Sequence, residues 1–445
     1  MKLVLRPLLA LSLLAMMIST AHAQPPTPLW SDDVETTDIA VSKDGQYVAV
    51  ATPSEGRPSE VRFYSRSSAT PLWTWSADSF YSVAISEHGE YVAAGGYVWE
   101  ALDYYVFYWK NARALTGTPD PDWTSNDVGG GIDERCLDMS DDGNYVVACG
   151  TGVNVFYWAD ARHKSGVNVA TTWNWLSGSW VEAVDLSSDG DYVVVGTTGP
   201  DVAYWKNARS LSGTADPDWQ SMELDTAVAD VAVSDDGNYV AAATGGAPGT
   251  VYYWAGARSL SGDPSATWYS GEETRHTSID MSCDGDSVVA GASGGVFFWG
   301  GARGLTGKPQ DPSWDYFTES IISDVAINDA GTYVAAVDDV FIDTLFFFDR
   351  QGNLLWEDLE IRGDMLSMSC DGRTLAVGHF APETVWLLDT GYSSPCCGVT
   401  PVGGVVSTPT AALIAVAPFV AFAGLAVAVA VAVAVVVVFA KKRAA

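Results

Sequence analysis

The sequence predicts an all-β protein, an eight-bladed β-propeller closed by its N-terminal strand, together with a C-terminal transmembrane helix. A tight Gly-containing turn recurs eight times from Gly45 to Gly372, 327 residues apart, which gives a mean repeat of about 47 residues. Alternating apolar residues flank each turn as in a β-hairpin, and each repeat continues into an aromatic strand. Four antiparallel strands in 40 to 50 residues are typical of one propeller blade.

The first 23 residues predict an export signal. Lys2 and Arg6 precede an apolar run, and small residues at Ala21 and Ala23 suit cleavage before Gln24. We therefore expect residues 24–390, the predicted propeller, to lie outside the cytoplasm.

Each repeat opens with the same hairpin motif, and the first seven repeats close with a Trp. The eight hairpins are AVSKDGQYVAV (40–50), AISEHGEYVAA (84–94), DMSDDGNYVVA (138–148), DLSSDGDYVVV (185–195), AVSDDGNYVAA (232–242), DMSCDGDSVVA (280–290), AINDAGTYVAA (326–336) and SMSCDGRTLAV (367–377). The fourth strands carry Trp73, Trp123, Trp173, Trp219, Trp268, Trp314 and Trp356. A Trp at the same place in every repeat indicates core packing rather than a sugar platform.

The last repeat has no fourth strand of its own after Val385, whereas Trp30 precedes the first complete repeat. We expect the segment with Trp30 to pair with the strand that begins at Val385. This pairing would close the ring and remove exposed strand edges.

Residues 28–390 resemble the WD-repeat superfamily, and SDDGNYVAAATGGAPGTVYYW (234–254) is the most similar stretch. The family's Gly-His pair is absent, and its Trp-Asp is replaced by Trp-Lys, Trp-Ala or Trp-Gly. LFFFDRQGNLLW (345–356) is instead similar to a quinoprotein-type repeat. The mixture resembles exported, membrane-anchored propellers of prokaryotic, often archaeal, cell surfaces. The resemblance implies a fold and not an activity.

Five repeats share an Arg-containing phrase between their third and fourth strands, on the same side as the Gly turns. We expect each Arg to fix its loop through a turn carboxylate or a carbonyl, using Asp142, Asp189, Asp236 or Asp284. A ring of Arg for an anionic ligand is the functional alternative. The residues are Arg113, Arg162, Arg209, Arg258 and Arg303.

Variable loops are predicted on the opposite side, where recognition is usually built on a rigid scaffold. Their aromatic and acidic residues suit a cationic protein surface, a divalent ion or a glycan, and the alternative is a solvated acidic rim. The candidates for the binding face are Phe80, Tyr81, Trp99, Trp180, Tyr269, Phe317, Glu272 and Glu273.

The composition argues against a nucleic-acid partner. The formal net charge is −32, which repels phosphates.

No catalytic, cofactor-binding or metal-binding residues are predicted. D-x-S-x-D-G at residues 138–143, 185–190 and 280–285 matches the start of a calcium loop but lacks its distal Glu. Ser293 fits G-x-S-x-G, but between two strands rather than between a strand and a helix. The histidines fall in different repeats, which argues against a His-based metal centre.

The six cysteines suggest an oxidising compartment. Counting outward from the turn at residues 141–144 places Cys136 opposite Cys149, a possible cross-strand disulfide. Cys283 and Cys370 occupy equivalent turns and are expected to be too far apart to join. For Cys396 and Cys397 a vicinal bridge, a link between two chains and free thiols remain open.

The C-terminus predicts a membrane anchor. A Pro/Gly/Cys stalk at 391–410 precedes a transmembrane helix at 411–440, and its uncharged core at 419–440 would span roughly 33 Å as a helix. The basic tail at 441–445 predicts a cytoplasmic C-terminus and an extracellular N-terminal domain. A sorting tail that is trimmed is the alternative.

Together these features predict a non-enzymatic module in the cell membrane, single-pass, that binds a protein or glycan at the surface. Two alternatives are a quinone-dependent dehydrogenase-like enzyme, suggested by the vicinal Cys396 and Cys397, and a structural component of a surface layer.

Overall fold

The computed structural model describes residues 23–397 except 54–58, 127, 130, 133–134, 151–153, 223, 272–273, 308, 339–343 and 381–383. The predicted export signal, apart from its last residue, lies outside the described residues, and so do the predicted transmembrane helix and the predicted basic tail. Within the described part of the chain, no helix has the length and apolarity needed to cross a bilayer.

The described strands form seven sheets around a central channel. Sheet 1 contains β2 (Asp38–Val41), β3 (Tyr47–Ala51), β4 (Ser59–Ser65) and β5 (Trp73–Ala77). Sheet 2 contains β6 (Ser79–Ile85), β7 (Tyr91–Val98), β8 (Asp103–Lys110), β9 (Trp123–Ser125) and, at its outer edge, β13 (Gly166–Val169). Sheet 3 contains β10 (Leu137–Met139), β11 (Tyr145–Cys149), β12 (Asn154–Ala159), β14 (Trp173–Leu176) and, at its outer edge, β18 (Gly213–Thr214).

The other four sheets continue around the ring. Sheet 4 contains β15 (Val181–Leu186), β16 (Tyr192–Thr197), β17 (Val202–Lys206) and β19 (Trp219–Ser221). Sheet 5 contains β20 (Val228–Val233), β21 (Tyr239–Thr244), β22 (Val251–Ala255) and β23 (Trp268–Tyr269). Sheet 6 contains β24 (His276–Met281), β25 (Ser287–Gly300), β26 (Trp314–Ile327), β27 (Tyr333–Asp338), β28 (Leu345–Asp349) and β29 (Leu354–Asp358). Sheet 7 contains β30 (Met365–Met368), β31 (Thr374–His379), β32 (Thr384–Asp389) and β1 (Trp30–Asp32).

The prediction of eight sheets is wrong, because the sixth and seventh repeats share one six-stranded sheet. Strands β25 and β26 each run for 14 residues and pass without a break through the places where other repeats change strand. The pairing of Ser293 with Ile321 bridges the two halves of this sheet. All eight Gly turns are nevertheless present, each with a positive φ that glycine adopts without steric cost.

The N-terminal strand β1 pairs with β32 as the sequence predicted. Trp30 lies opposite Leu387 and Asp32 opposite Val385, in antiparallel register. The Trp30 indole Nε1 donates to the carbonyl of Arg66 in sheet 1 at 3.0 Å. Strand β1 therefore links the last sheet to the first without a covalent bond.

Large aromatic residues fill the space between neighbouring sheets. The indole of Trp123, which is fully buried, stacks on Tyr108 and donates to the carbonyl of Ala161 in the next sheet at 3.0 Å. Equivalent indole bonds to the next sheet join Trp73 to Ala112, Trp173 to Ala208, Trp219 to Ala257 and Trp268 to Ala302. The bond from Trp314 to Arg350 lies within sheet 6. The recurring Trp residues are thus core residues, as predicted.

The antiparallel topology gives the ring two different ends. The turn face carries the eight Gly turns and the loops between third and fourth strands. These loops contain the 3-10 helices Ala112–Ala114, Ala161–His163, Ala208–Ser210, Ala257–Ser259 and Ala302–Gly304. The loop face carries the connections between second and third strands and those between repeats.

Candidate functional site: the two faces and the channel

The repeated Arg residues fix the loops of the turn face, as the sequence predicted. Arg209 contacts Asp191 at 3.1 Å and Asp189 at 3.5 Å, and its guanidinium lies 5.8 Å from the centre of the Tyr145 ring. Corresponding ion pairs join Arg162 to Asp142, Arg258 to Asp236, Arg303 to Asp284 and Arg113 to Glu90. Each guanidinium is engaged with carboxylates of its own sheet, so these residues do not form an open anion site.

Six aspartates line the channel from the innermost strands. Five of them bridge neighbouring sheets, and Asp280 joins the two halves of sheet 6. In Asp280, Oδ1 accepts the N–H of Met281 at 2.7 Å and Oδ2 accepts the N–H of Ile327 at 2.8 Å. The same two-sided arrangement joins Asp38 to Val83, Asp138 to Leu186, Asp185 to Val233, Asp230 to Ile279 and Asp324 to Leu366. A carboxylate can accept on both oxygens, which is why Asp suits this position.

Burial raises the pKa of these carboxyl groups, because desolvation disfavours the charged form. The pKa of Asp38, Asp138 and Asp230 rises to about 6 and that of Asp280 to about 7. Burial, reinforced by neighbouring Asp138, also raises the pKa of Asp185. The hydrogen bonds from backbone N–H groups oppose this rise without cancelling it.

The channel mouth on the turn face holds one lysine among carboxylates. Lys43 Nζ lies 3.0 Å from Asp141 and 3.5 Å from Asp235, in a cavity of about 300 Å³. Burial opposes the charge on Lys43, but the surrounding carboxylates outweigh it and raise the lysine pKa. The ammonium therefore stays charged and occupies the centre of this acidic ring.

Backbone hydrogen bonds connect the turns around this mouth. Cys283 N–H donates to Asp329, Asp329 N–H to Cys370, and Cys370 N–H to Lys43, at 3.0 to 3.1 Å. The positions of Glu87, Asp141, Ser188 and Asp235 are equivalent in their own repeats. We call these eight residues the mouth ring.

Arg135 lies across the channel on the side of the loop face. Its Nη1 donates to the carbonyl of Thr277 at 2.6 Å, and its guanidinium lies 3.6 Å from Asp324 and 3.8 Å from Asp230. A cavity of about 310 Å³ adjoins it. Each end of the channel thus has one base that partly neutralises the buried carboxylates.

The loop face carries most of the exposed apolar surface of the described chain. Nine of the eleven exposed large apolar residues lie there, and only Leu29 and Val167 lie on the turn face. The nine are Trp99, Leu102, Leu176, Trp180, Met222, Phe317, Ile321, Leu359 and Phe380. Clusters of exposed apolar residues on one side of a soluble domain mark interaction surfaces.

The predicted binding-face residues differ in how exposed their side chains are. Trp99, Trp180 and Phe317 are 62%, 63% and 73% exposed, and Tyr81 and Tyr269 are half-buried. Glu272 and Glu273 lie outside the described residues.

Phe80 is fully buried, so its assignment to the binding face is wrong. A bulge between Phe80 and Ser82 turns the ring inward, where it packs against Trp75 and Phe107.

The hairpin formed by β7 and β8, the second and third strands of sheet 2, bears an aromatic cluster on the loop face. Tyr97 packs edge-on against Trp99 at 5.0 Å and against Tyr104 at 4.8 Å, and Tyr81 lies 6.1 Å from Tyr104. The Trp99 N–H donates to Asp78 Oδ2 at 2.7 Å. The hairpin thereby presents an exposed indole on a rigid base.

All six cysteines form disulfides. Cys136 bonds to Cys149 as the sequence suggested, whereas Cys396 bonds to Cys370 and Cys397 bonds to Cys283. The three arrangements considered for Cys396 and Cys397 are therefore wrong, and the vicinal bridge that suggested a quinoprotein enzyme is not formed.

One group of described residues has the composition of a metal site, but its two cysteines are bonded to each other. Asp329, Cys370 and Cys396 lie within 4.8 Å of one another, but their sulfurs are joined as a disulfide and offer no thiolate. In the calcium-like motif, Asp142 accepts from the Ser140 hydroxyl and pairs with Arg162, while Asp138 bridges two sheets in the channel. The two carboxylates of that motif thus serve different parts of the fold.

Solved WD40 propellers share this fold. The C-terminal WD40 domain of Sif2 matches with a TM-score of 0.61 and 11% identity, over 82% of this chain and 99% of that chain. Sqt1 of Chaetomium thermophilum, bound to the N-terminus of ribosomal protein L10, matches with a TM-score of 0.64 and 15% identity, over 82% and 100%. No protein-family model and no curated protein matches the sequence. The chain therefore has a WD40-type β-propeller fold.

Sequence reasoning missed Lys43, Arg135 and the bridging role of the channel aspartates. The signal for the aspartates was present, since Asp138, Asp185 and Asp280 precede their Gly turns by five residues. Arg135 gave no such signal, because it occurs in a single repeat and its φ of 61° places it outside the strand pattern.

Proposed function

We propose that this protein is a non-enzymatic scaffold, exported and tethered to the cell membrane by its C-terminal segment, that binds a cationic protein on its loop face. The observation that carries the proposal is the concentration of exposed apolar residues on that face, including Trp99, Trp180 and Phe317. Exposed aromatic side chains are frequent binding hot spots.

Charge supports a cationic partner. The net charge of −32 would accelerate the approach of a basic protein and would repel nucleic acid. The turn face is less suited to recognition, because Arg loops and carboxylates there are already paired with one another.

The channel supports a structural role rather than a reaction. In each of the six channel aspartates described above, both carboxylate oxygens accept backbone N–H groups, as in Asp280. Lys43 pairs with Asp141 at the mouth, and Arg135 lies beside Asp324. We therefore assign the channel aspartates, Lys43 and Arg135 a structural role and no catalytic one.

The test is quantitative cross-linking on intact cells with a triple variant, Trp99→Ala, Trp180→Ala and Phe317→Ala. Its matched control is Leu29→Ala with Val167→Ala, which removes exposed apolar side chains from the turn face. We expect at least a tenfold loss of the cross-linked species in the first variant, because hot-spot residues each contribute about 2 kcal/mol or more. Equal capture by both variants, with surface levels unchanged, would refute the loop-face assignment.

Glycan binding is a second candidate, favoured by the cluster at the tip of β7–β8. An exposed Trp99 braced by Tyr97 and flanked by Asp78 offers an aromatic platform beside a carboxylate. A glycan partner would be captured from glycosylated but not from deglycosylated cell surfaces, and only Trp99→Ala would abolish its binding.

A further inference from the structure

Residues 390–397, which we call the C-terminal strap, lie against the turn face. Ser394 Oγ accepts hydrogen bonds from Asn328 Nδ2 at 2.7 Å and from Thr332 Oγ1 at 2.8 Å. The Tyr392 ring lies 5.5 Å from Tyr333 and 5.8 Å from Phe347. The strap, which follows β32 of sheet 7 directly in the chain, therefore packs against sheet 6.

Two disulfides end the strap at the channel mouth. Cys396 bonds to Cys370 in the turn of sheet 7, and Cys397 bonds to Cys283 in a turn of sheet 6. Cys283 and Cys370 both belong to the mouth ring, with Asp329 between them. Cys397, the last described residue, thus lies at the mouth ring, on the turn face.

The strand just before the strap is the one on which ring closure depends. Strand β32 lies between β31 and β1, and Val385 to Leu387 are the pairing partners of β1. If the strap were free, a pull on the C-terminal extension would act on the end of β32. Removing β32 would leave β1 without its partner and open the ring.

We propose that the strap transmits mechanical tension from the C-terminal extension to the propeller through its two disulfides. Its two disulfides pass tension into the turns of Cys283 and Cys370, on two different sheets, and not into β32. The proposal rests on the membrane tether proposed above, because only an anchored extension carries tension. The strap itself lies on the turn face, opposite the proposed partner-binding face.

The test is force spectroscopy on the full chain in lipid nanodiscs. The nanodisc is immobilised, and a pulling handle is attached at Ala101, at the tip of the β7–β8 hairpin. The test variant replaces the two strap cysteines and their two partners, Cys396→Ser, Cys397→Ser, Cys370→Ser and Cys283→Ser. The matched control is Cys136→Ser with Cys149→Ser, which removes the disulfide inside sheet 3.

We expect the wild type and the control to show no extension before the propeller unfolds. The strap variant should first lengthen by about 30 Å, the reach of the eight residues 390–397, and then lose β32 at a lower force. Adding a dithiol reductant to the wild type under load should give the same early step, which covers the case of a variant that folds poorly.

An early step of equal size and force in all three proteins would overturn the proposal, as would its absence from both the strap variant and the reduced wild type. Failure of the membrane tether is distinguishable, because the chain would then not be retained by nanodiscs at zero force.

Discussion

At the scale of single residues, the channel aspartates stabilise the ring through hydrogen bonds to backbone N–H groups, but burying their charged carboxylates costs free energy. Asp280 accepts the backbone N–H of Met281 on its own strand and that of Ile327 on β26, yet burial raises its pKa to about 7. Its folded-state pKa exceeds the ordinary aspartate pKa of 3.8, so the folded state binds the proton more tightly. The stabilisation is complete below pH 3.8 and is lost as the pH rises through about 7.

We therefore predict that the denaturation midpoint of the wild type falls between pH 5 and pH 8 and that Asp280→Asn makes this fall shallower. Asp216→Asn, at an exposed position, removes the same charge and is the control. Urea unfolding followed by Trp fluorescence across this pH range measures the effect. A slope identical in the two variants would show that Asp280 titrates as an ordinary surface acid.

A second residue-scale prediction concerns the loops of the turn face. Arg209→Ala should lower the free energy of unfolding by about 1 kcal/mol, because it removes two partly exposed ion pairs and a cation–π contact. Partner capture should be unaffected. Arg275→Ala removes an exposed base from the loop face and serves as the comparison. Loss of capture in Arg209→Ala alone would favour the alternative in which the repeated Arg residues bind an anionic ligand.

At the scale of elements, the closing strand is short and should be the most sensitive element. Trp30 is 9% exposed, stacks on Tyr64 and bonds to Arg66, so it joins two sheets. We predict that Trp30→Ala lowers the free energy of unfolding by about 3 kcal/mol, the typical cost of removing a buried aromatic ring. Leu29→Ala, at a residue 44% exposed, should cost far less in the same denaturant titration.

The sequence predicted elements well wherever a residue type recurred with the repeat. The Gly turns, the Trp residues and the Arg–carboxylate pairs were all predicted because each occupies one place in most repeats. The fusion of two repeats in sheet 6 was not predicted, since Gly294 and Gly295 resemble a turn while the chain continues as β25. Phe80 was misassigned because a bulge reverses the inward and outward alternation.

The cysteine pairing could not be obtained from the sequence, because it depends on where the strap lies. Counting along a hairpin found the pair Cys136 and Cys149, which are only 13 residues apart. The bond from Cys283 to Cys397 spans 114 residues and requires the mouth ring to be known first. Spacing alone allows many connectivities among six cysteines.

At the scale of the whole molecule, the acidic excess should make stability depend on salt. The net charge of −32 produces repulsion among surface carboxylates that dissolved ions screen, with a Debye length of about 3 Å at 1 M. We predict that NaCl raises the thermal midpoint between 0.05 and about 1 M while weakening binding of a cationic partner. Calorimetry measures the first effect and cross-linking yield the second. A midpoint that falls with added salt would contradict the prediction.

The channel bridges also differ from one junction to the next. Ala84 and Ser82 stand in sheet 2 where Asp138 and Asp38 stand in sheets 3 and 1, and among the described channel residues no carboxylate bridges sheet 2 to sheet 3. Thermal breathing of the ring should thus begin at that junction. Amide hydrogen exchange would then report faster deuterium uptake for the inner strand of sheet 3, β10, than for β15, whose junction with sheet 3 has the Asp138 bridge.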